Sequence, residues 1–258
     1  MLHYSCTGSK NSGTGIVFLH GGGFSGWMWE SIIGHLPEYY CVAITLPGHG
    51  LSNASKWISL EDTARQVGEI IEKELSNMDV HLVGLSLGGH VGLHVMAQHP
   101  HLTTSAILSC IIHDPLPRPK LYKALTNAML PLSNIRLIQK FVAHRFGMAG
   151  EKMRRYLQEF KRVDKDSLKR SSLEVAANPI PENLSNVSAR ILVVAGAKER
   201  SITRNALASY KSVFAHTRTA LIPDYGYGWS GRRPKLFANA IRAQIKNSAL
   251  PKDMKAQA

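Results

Sequence analysis

Apolar residues fall in short runs separated by longer stretches in which they recur every three or four positions. The runs are Gly15 to His20, Cys41 to Leu46, Val80 to Ser86, Ser105 to Ile111, Arg190 to Gly196 and Arg218 to Pro223. They are rich in Val, Ile and Leu and lack polar alternation, which is how strands covered on both faces read. Between them, Leu60 to Ser76, Leu87 to Gln98, Arg204 to Ala215 and Lys235 to Asn247 carry helical periodicity. Strand and helix in alternation predict an α/β fold with a doubly wound, mostly parallel sheet.

One segment breaks the rhythm. From Pro115 to about Leu184 no strand is expected. The stretch opens proline-rich and then turns helical, with Ile135, Ile138, Phe141 and Val142 on one face and Met153, Tyr156, Leu157 and Phe160 on another. It reads as a helical insertion (residues 115–185) in a core made of residues 1–114 and 186–258. Placed after a strand, it would sit at the sheet edge where open α/β sheets bind ligands, as a lid or pocket wall.

Charge adds a second fact about that segment. The chain carries 31 Lys+Arg and 18 Asp+Glu, a net charge of +13. Residues 115–185 hold 14 of the basic and 6 of the acidic residues, so +8 of the surplus lies there. Such a patch attracts anions. The simplest expectation is a solvated helical face, because no zinc finger, RNA-binding signature or basic arm accompanies it, and no nucleic-acid partner is expected. No run of eighteen apolar residues predicts a membrane span, and no basic-then-apolar leader opens the chain, so the default location is cytoplasmic. The three cysteines, Cys6, Cys41 and Cys110, are widely spaced, and the last two read as buried free thiols. No metal triad, phosphate loop or dinucleotide fingerprint is present, so no cofactor is called for.

The candidate chemistry begins at "GLSLGG", Gly84 to Gly89. A serine between an apolar run and a helical pattern, with glycine on either side, suits a strained strand-to-helix turn that exposes the hydroxyl of Ser86. The second signal is "LHGGGFSGWMW", Leu19 to Trp29, directly after the first strong run. Glycines there let the backbone approach a substrate and aim N–H groups at a developing oxyanion.

"LHGGGFSGW", "LPGHGLS" (Leu46 to Ser52) and "HLVGLSLGGHVGL" together resemble the α/β-hydrolase superfamily, most closely its small esterase-like members with a helical cap. The resemblance implies a serine hydrolase of ester-like bonds acting on a small or medium apolar acyl compound. It implies Ser86 as nucleophile, Gly22 and Leu87 as oxyanion donors, and Glu199, in "AGAKERSIT", as the acid where the family usually has Asp. Thr45 stands where the family often has Asp, a position usually structural. The family's histidine falls on "PDYGYGWSG", where this chain has Tyr227. A phenol, with an ordinary pKa near 10, is a poor base at neutral pH. Three explanations compete: another histidine serves, with His113 beside Asp114 the candidate base; the protein binds or transforms a ligand without serine-hydrolase chemistry; or a hydrolytic lineage has lost its base here, a change one nucleotide can make. The oligomeric state is open.

Overall fold

In the computed structural model, the chain is described over residues 1–177, 180–181, 184, 187–214 and 216–257. Eight strands form one sheet in the order β1-β3-β2-β4-β5-β6-β7-β8. The six parallel strands are β2 (Thr14–Leu19), β3 (Tyr40–Ile44), β4 (Asp79–Leu85), β5 (Ser105–Ser109), β6 (Arg190–Gly196) and β7 (Thr217–Ile222). Each corresponds to one of the six apolar runs, offset by a residue or two. Two antiparallel edge strands were not legible. Those are β1 (Tyr4–Thr7), paired with β3, and the two-residue β8 (Lys255–Ala256), paired with β7.

Helices cover both faces, and two apolar clusters fill the space between them and the sheet. Besides the single turns α1 (Glu30–Ile33) and α9 (Trp229–Arg232), the flanking helices are α2 (Leu60–Leu75), α3 (Leu87–Gln98), α8 (Ser201–Val213) and α10 (Pro234–Ile245). The α2 helix begins where Ser59 accepts a hydrogen bond from Asp62 N–H, and Glu61 and Asp62 complement the positive end of its dipole. The expected end of α8 at Ala215 lies outside the described residues.

Between β5 and β6 come four helices: α4 (Pro119–Leu132), α5 (Arg136–Arg145), α6 (Gly150–Lys161) and α7 (Lys165–Ala177). Of the insertion's expected ends, residue 115 is described and residues 185 and 186 lie outside the described part. Helix α6 buries Tyr156, Leu157 and Phe160, as its periodicity predicts. Helix α5 follows its pattern in part. Ile138 and Val142 are half-buried, and Val142 packs against the core, while Ile135 and Phe141 stand exposed. The helix also buries Gln139 and Ala143. Gln139 is held by donating to the Ser133 carbonyl at 2.9 Å.

Candidate functional site

The parallel strands of the sheet end at a cavity of about 680 Å3, walled on its outer side by α4, α5 and α7. Ser86, Gly22, Leu87, Glu199 and Tyr227 all line it, so five positions scattered over the chain converge. The sixth, His113, is not among the lining residues. Its Nδ1 meets Asp114 at 2.9 Å, and its ring packs edge-on against Tyr210.

Ser86 joins β4 to α3 with φ 50 and ψ −112, a left-handed backbone that non-glycine residues rarely adopt. Two anchors hold it there: its N–H donates to the Ser109 carbonyl at 2.8 Å, and its carbonyl accepts from Gly89 and His90 N–H at 2.8 and 3.1 Å. The flanking glycines are required sterically. A Cβ at Gly84 would lie 2.6 Å from the Gly88 carbonyl oxygen, and one at Gly88 would collide with the Leu19 carbonyl.

The glycine turn after β2 is fixed by two buried imidazoles. His20 Nε2 accepts from Leu46 N–H at 2.9 Å, and its Nδ1 donates to the Gly21 carbonyl at 2.8 Å. His49 Nε2 accepts from Gly23 N–H at 3.1 Å, and its Nδ1 donates to the Pro47 carbonyl at 2.9 Å. A ring nitrogen that accepts cannot carry a proton, so both rings are neutral. Burial agrees, pushing the His20 pKa well below its ordinary value and that of His49 down to about 4. Gly23 N–H is spent on His49, and Gly22 lines the cavity. Among the described residues, neither Gly22 N–H nor Leu87 N–H has a protein acceptor.

Tyr227 comes from the loop after β7. Its phenol stands beside the Ser86 side chain and packs against Gly21, where a Cβ would stand 3.2 Å from the phenolic oxygen. Burial raises its pKa above the ordinary tyrosine value, and the neighbouring Cys110 and Glu199 raise it further. It is a neutral hydroxyl at any physiological pH. The loop is clamped from outside: Arg232 donates to the carbonyls of His144 and Arg145 at the end of α5, at 2.6 and 2.9 Å, and Phe146 meets the Tyr227 ring edge-on at 5.4 Å. Arg233 pairs instead with Asp253 at 2.5 Å. Trp29 and Trp229 are core residues, and Trp229 Nε1 donates to Ser109 Oγ at 3.0 Å.

Glu199 is occupied by neighbours other than Tyr227. Its Oε1 accepts from Gly196 N–H at 2.6 Å and from the Cys110 thiol at 3.1 Å. Cys110, left-handed at φ 59, was expected only as a buried thiol; its contact with Glu199 spans 89 positions and leaves no local trace in the sequence. His90 lines the cavity and accepts from Ile112 N–H at 3.4 Å. Among the described residues no cluster of His, Cys, Asp or Glu could hold a metal ion.

Burial raises the Glu199 pKa against the opposing bonds from Gly196 and Cys110. The folded chain then holds that proton more tightly than the unfolded one. Stability is full below the ordinary carboxylate range and falls as pH rises through it to the raised value. Glu199→Gln keeps an oxygen for both donors, so it should melt above the native chain at neutral pH and by a smaller margin in mild acid. Thermal melts at the two pH values check this, and a lower neutral melting point would contradict it.

A mostly parallel sheet covered by helices on both faces, with a strained strand-to-helix serine turn opening on a cavity, defines a protein of the hydrolase-like α/β class. The chain belongs to the alpha/beta hydrolase family, whose model matches residues 16–240. A protein of Gibberella zeae described as an AB hydrolase superfamily protein is 25% identical over 247 residues, covering 93% of this chain and 82% of that one. The pimeloyl-[acyl-carrier protein] methyl ester esterase of Vibrio vulnificus is 34% identical over 99 residues, 38% of this chain and 36% of the esterase. Among solved structures, a thermophilic esterase from Thermogutta terrifontis superposes with a TM-score of 0.77 over 95% of this chain and 93% of that one. At 18% identity that likeness speaks to the fold alone. No helix among the described residues is long and apolar enough to cross a membrane.

Proposed function

We propose that the chain binds an ester-like acyl compound of small or medium size over Ser86 and hydrolyses it slowly for want of a base. In this reading Ser86 is the nucleophile, Gly22 and Leu87 N–H groups receive the oxyanion, α4 to α7 form the cap, and Tyr227 occupies the place of the family's histidine. The observation that carries it is that Ser86, the neutral phenol of Tyr227, and Gly22 and Leu87, whose N–H groups have no protein acceptor, line one cavity. Those donors stabilise charge on a bound carbonyl whether or not Ser86 is activated. The phenol cannot take the serine proton near neutrality, so the proton must leave to hydroxide or water. Glu199, bonded to Cys110 and Gly196, has no imidazole to orient. His113, away from the cavity, is not the base in this reading.

The experiment is p-nitrophenyl butyrate hydrolysis followed against pH. Residual catalysis by oxyanion donors and binding is on the order of a thousandfold over water when a triad is incomplete. The native rate should stay near that level and climb with hydroxide, without levelling off near the ordinary imidazole pKa. A plateau there would mean that an imidazole serves as base. The neutral Tyr227 phenol beside Ser86 also favours a second reading, a site that binds carbonyl compounds without hydrolysing them. Tight binding of a non-cleavable ketone analogue with no turnover above buffer would select it.

A further inference from the structure

Large exposed apolar side chains are concentrated on this molecule. Of the eleven among the described residues, seven lie between Leu121 and Phe141, which marks an interaction surface rather than ordinary scatter. On α4, Leu121, Leu125, Met129 and Leu132 recur at helical spacing and form one outward stripe, while Tyr122, Thr126 and Leu130 turn inward. On α5, Leu137 and Phe141 are one turn apart and 75% and 62% exposed, with Arg136 and Lys140 one turn apart beside them.

The charge of this surface selects its partner. From Pro115 to Arg145 the chain holds six Lys+Arg and no Asp or Glu. The salt bridges of the described residues involve none of these six cations, and neither do the hydrogen bonds of their side chains. A solvated face accounts for unpaired cations but not for the exposed leucines. A protein interface accounts for leucines, yet lysine is depleted there. An apolar stripe flanked by Lys and Arg on a helix is the pattern that lies in a lipid–water interface, with the cations on the phosphates and their stems along the acyl boundary.

We propose that the α4–α5 face docks on the surface of an anionic phospholipid bilayer. Tyr122, Phe141, Val142 and Arg145 of the same two helices also line the cavity, so docking brings the cavity wall to the lipid, from which an apolar compound can enter. The proposal does not depend on the chemistry at Ser86.

Vesicle flotation tests it, using equimolar phosphatidylglycerol and phosphatidylcholine against phosphatidylcholine alone. The native chain should float with the anionic vesicles, hardly with the neutral ones, and detach as salt is raised. A triple variant, Lys120→Gln, Lys123→Gln and Lys140→Gln, should bind about a hundredfold more weakly, since each basic residue near an anionic surface contributes about fivefold. Leu121→Gln, Leu125→Gln and Leu137→Gln together should lose binding by at least about tenfold. Both triples replace exposed residues and should keep the native melting temperature. Equal binding to the two vesicle types, no binding by the native chain, or either folded triple binding as the native chain does would overturn the proposal. A native dimer made monomeric by the leucine triple, without vesicle binding, would assign the face to a second copy instead.

Discussion

Tyr227→His should raise p-nitrophenyl butyrate turnover by at least about a hundredfold and give the pH profile a plateau above the imidazole pKa. The raised pKa of the Tyr227 phenol leaves it protonated near neutral pH, so it can offer Ser86 a hydrogen bond but cannot remove the serine proton. An imidazole in the same place has an ordinary pKa near 6.5 and can take that proton. In a complete triad the histidine is worth roughly a million-fold in turnover. The expected gain is smaller because Glu199 Oε1 already receives Gly196 N–H and the Cys110 thiol, and must turn to meet a new ring. Combining Tyr227→His with Glu199→Gln should remove most of the gain. A gain confined to KM, with kcat unchanged, would mean that histidine improved binding and not proton transfer.

Acid should unfold the protein steeply, well above the pH at which carboxylates titrate. His20, His49 and His81 are buried, and all three have lowered pKa values, those of His49 and His81 down to about 4. Desolvation is the main cause in each. The unfolded chain binds these protons near pH 6.5 and the folded chain does not, so stability is complete above 6.5 and is lost as pH falls toward 4. A shift of that size corresponds to about 3 kcal/mol for each of His49 and His81. Total stabilities are about 5–15 kcal/mol, so these rings decide whether the fold survives. The net charge of +13 adds repulsion in the same direction. Urea midpoints measured from neutral pH downward should drop with a slope of several protons. In His49→Gln the amide can still accept from Gly23 and donate to Pro47, and the slope should fall by about one proton. A midpoint indifferent to pH over this window would show that these rings charge without unfolding.

What the sequence discloses follows the burial of each element. The six inner strands are apolar throughout because both faces are covered, and that pattern is visible in the chain itself. The edge strand Tyr4–Thr7 is mostly exposed and the strand Lys255–Ala256 wholly so, and neither has such a signature. Ser86 was legible because the turn needs Gly84 and Gly88 within two residues of it. The partners of Glu199 were not, because Cys110 and Gly196 reach it through the fold. The role of His49 lay hidden inside "LPGHGLS": only the structure shows that it accepts from Gly23 N–H and so fixes the glycine turn that lines the cavity. Helix α5 was legible only in part. Ile138 and Val142 of its apolar face are half-buried, but Phe141 stands outward, and Gln139 is buried because its amide finds the Ser133 carbonyl.

The central claim is that Ser86 is placed for acyl transfer and lacks only a base. Intact-mass analysis after incubation with a fluorophosphonate tests it most directly, because the reagent reports serine activation without needing the right substrate. The native chain should remain unlabelled over the time in which Tyr227→His is labelled once, at Ser86, and adding Ser86→Ala should abolish that label. Native labelling at Ser86 as fast as in Tyr227→His would contradict the account, since the serine would then already be activated.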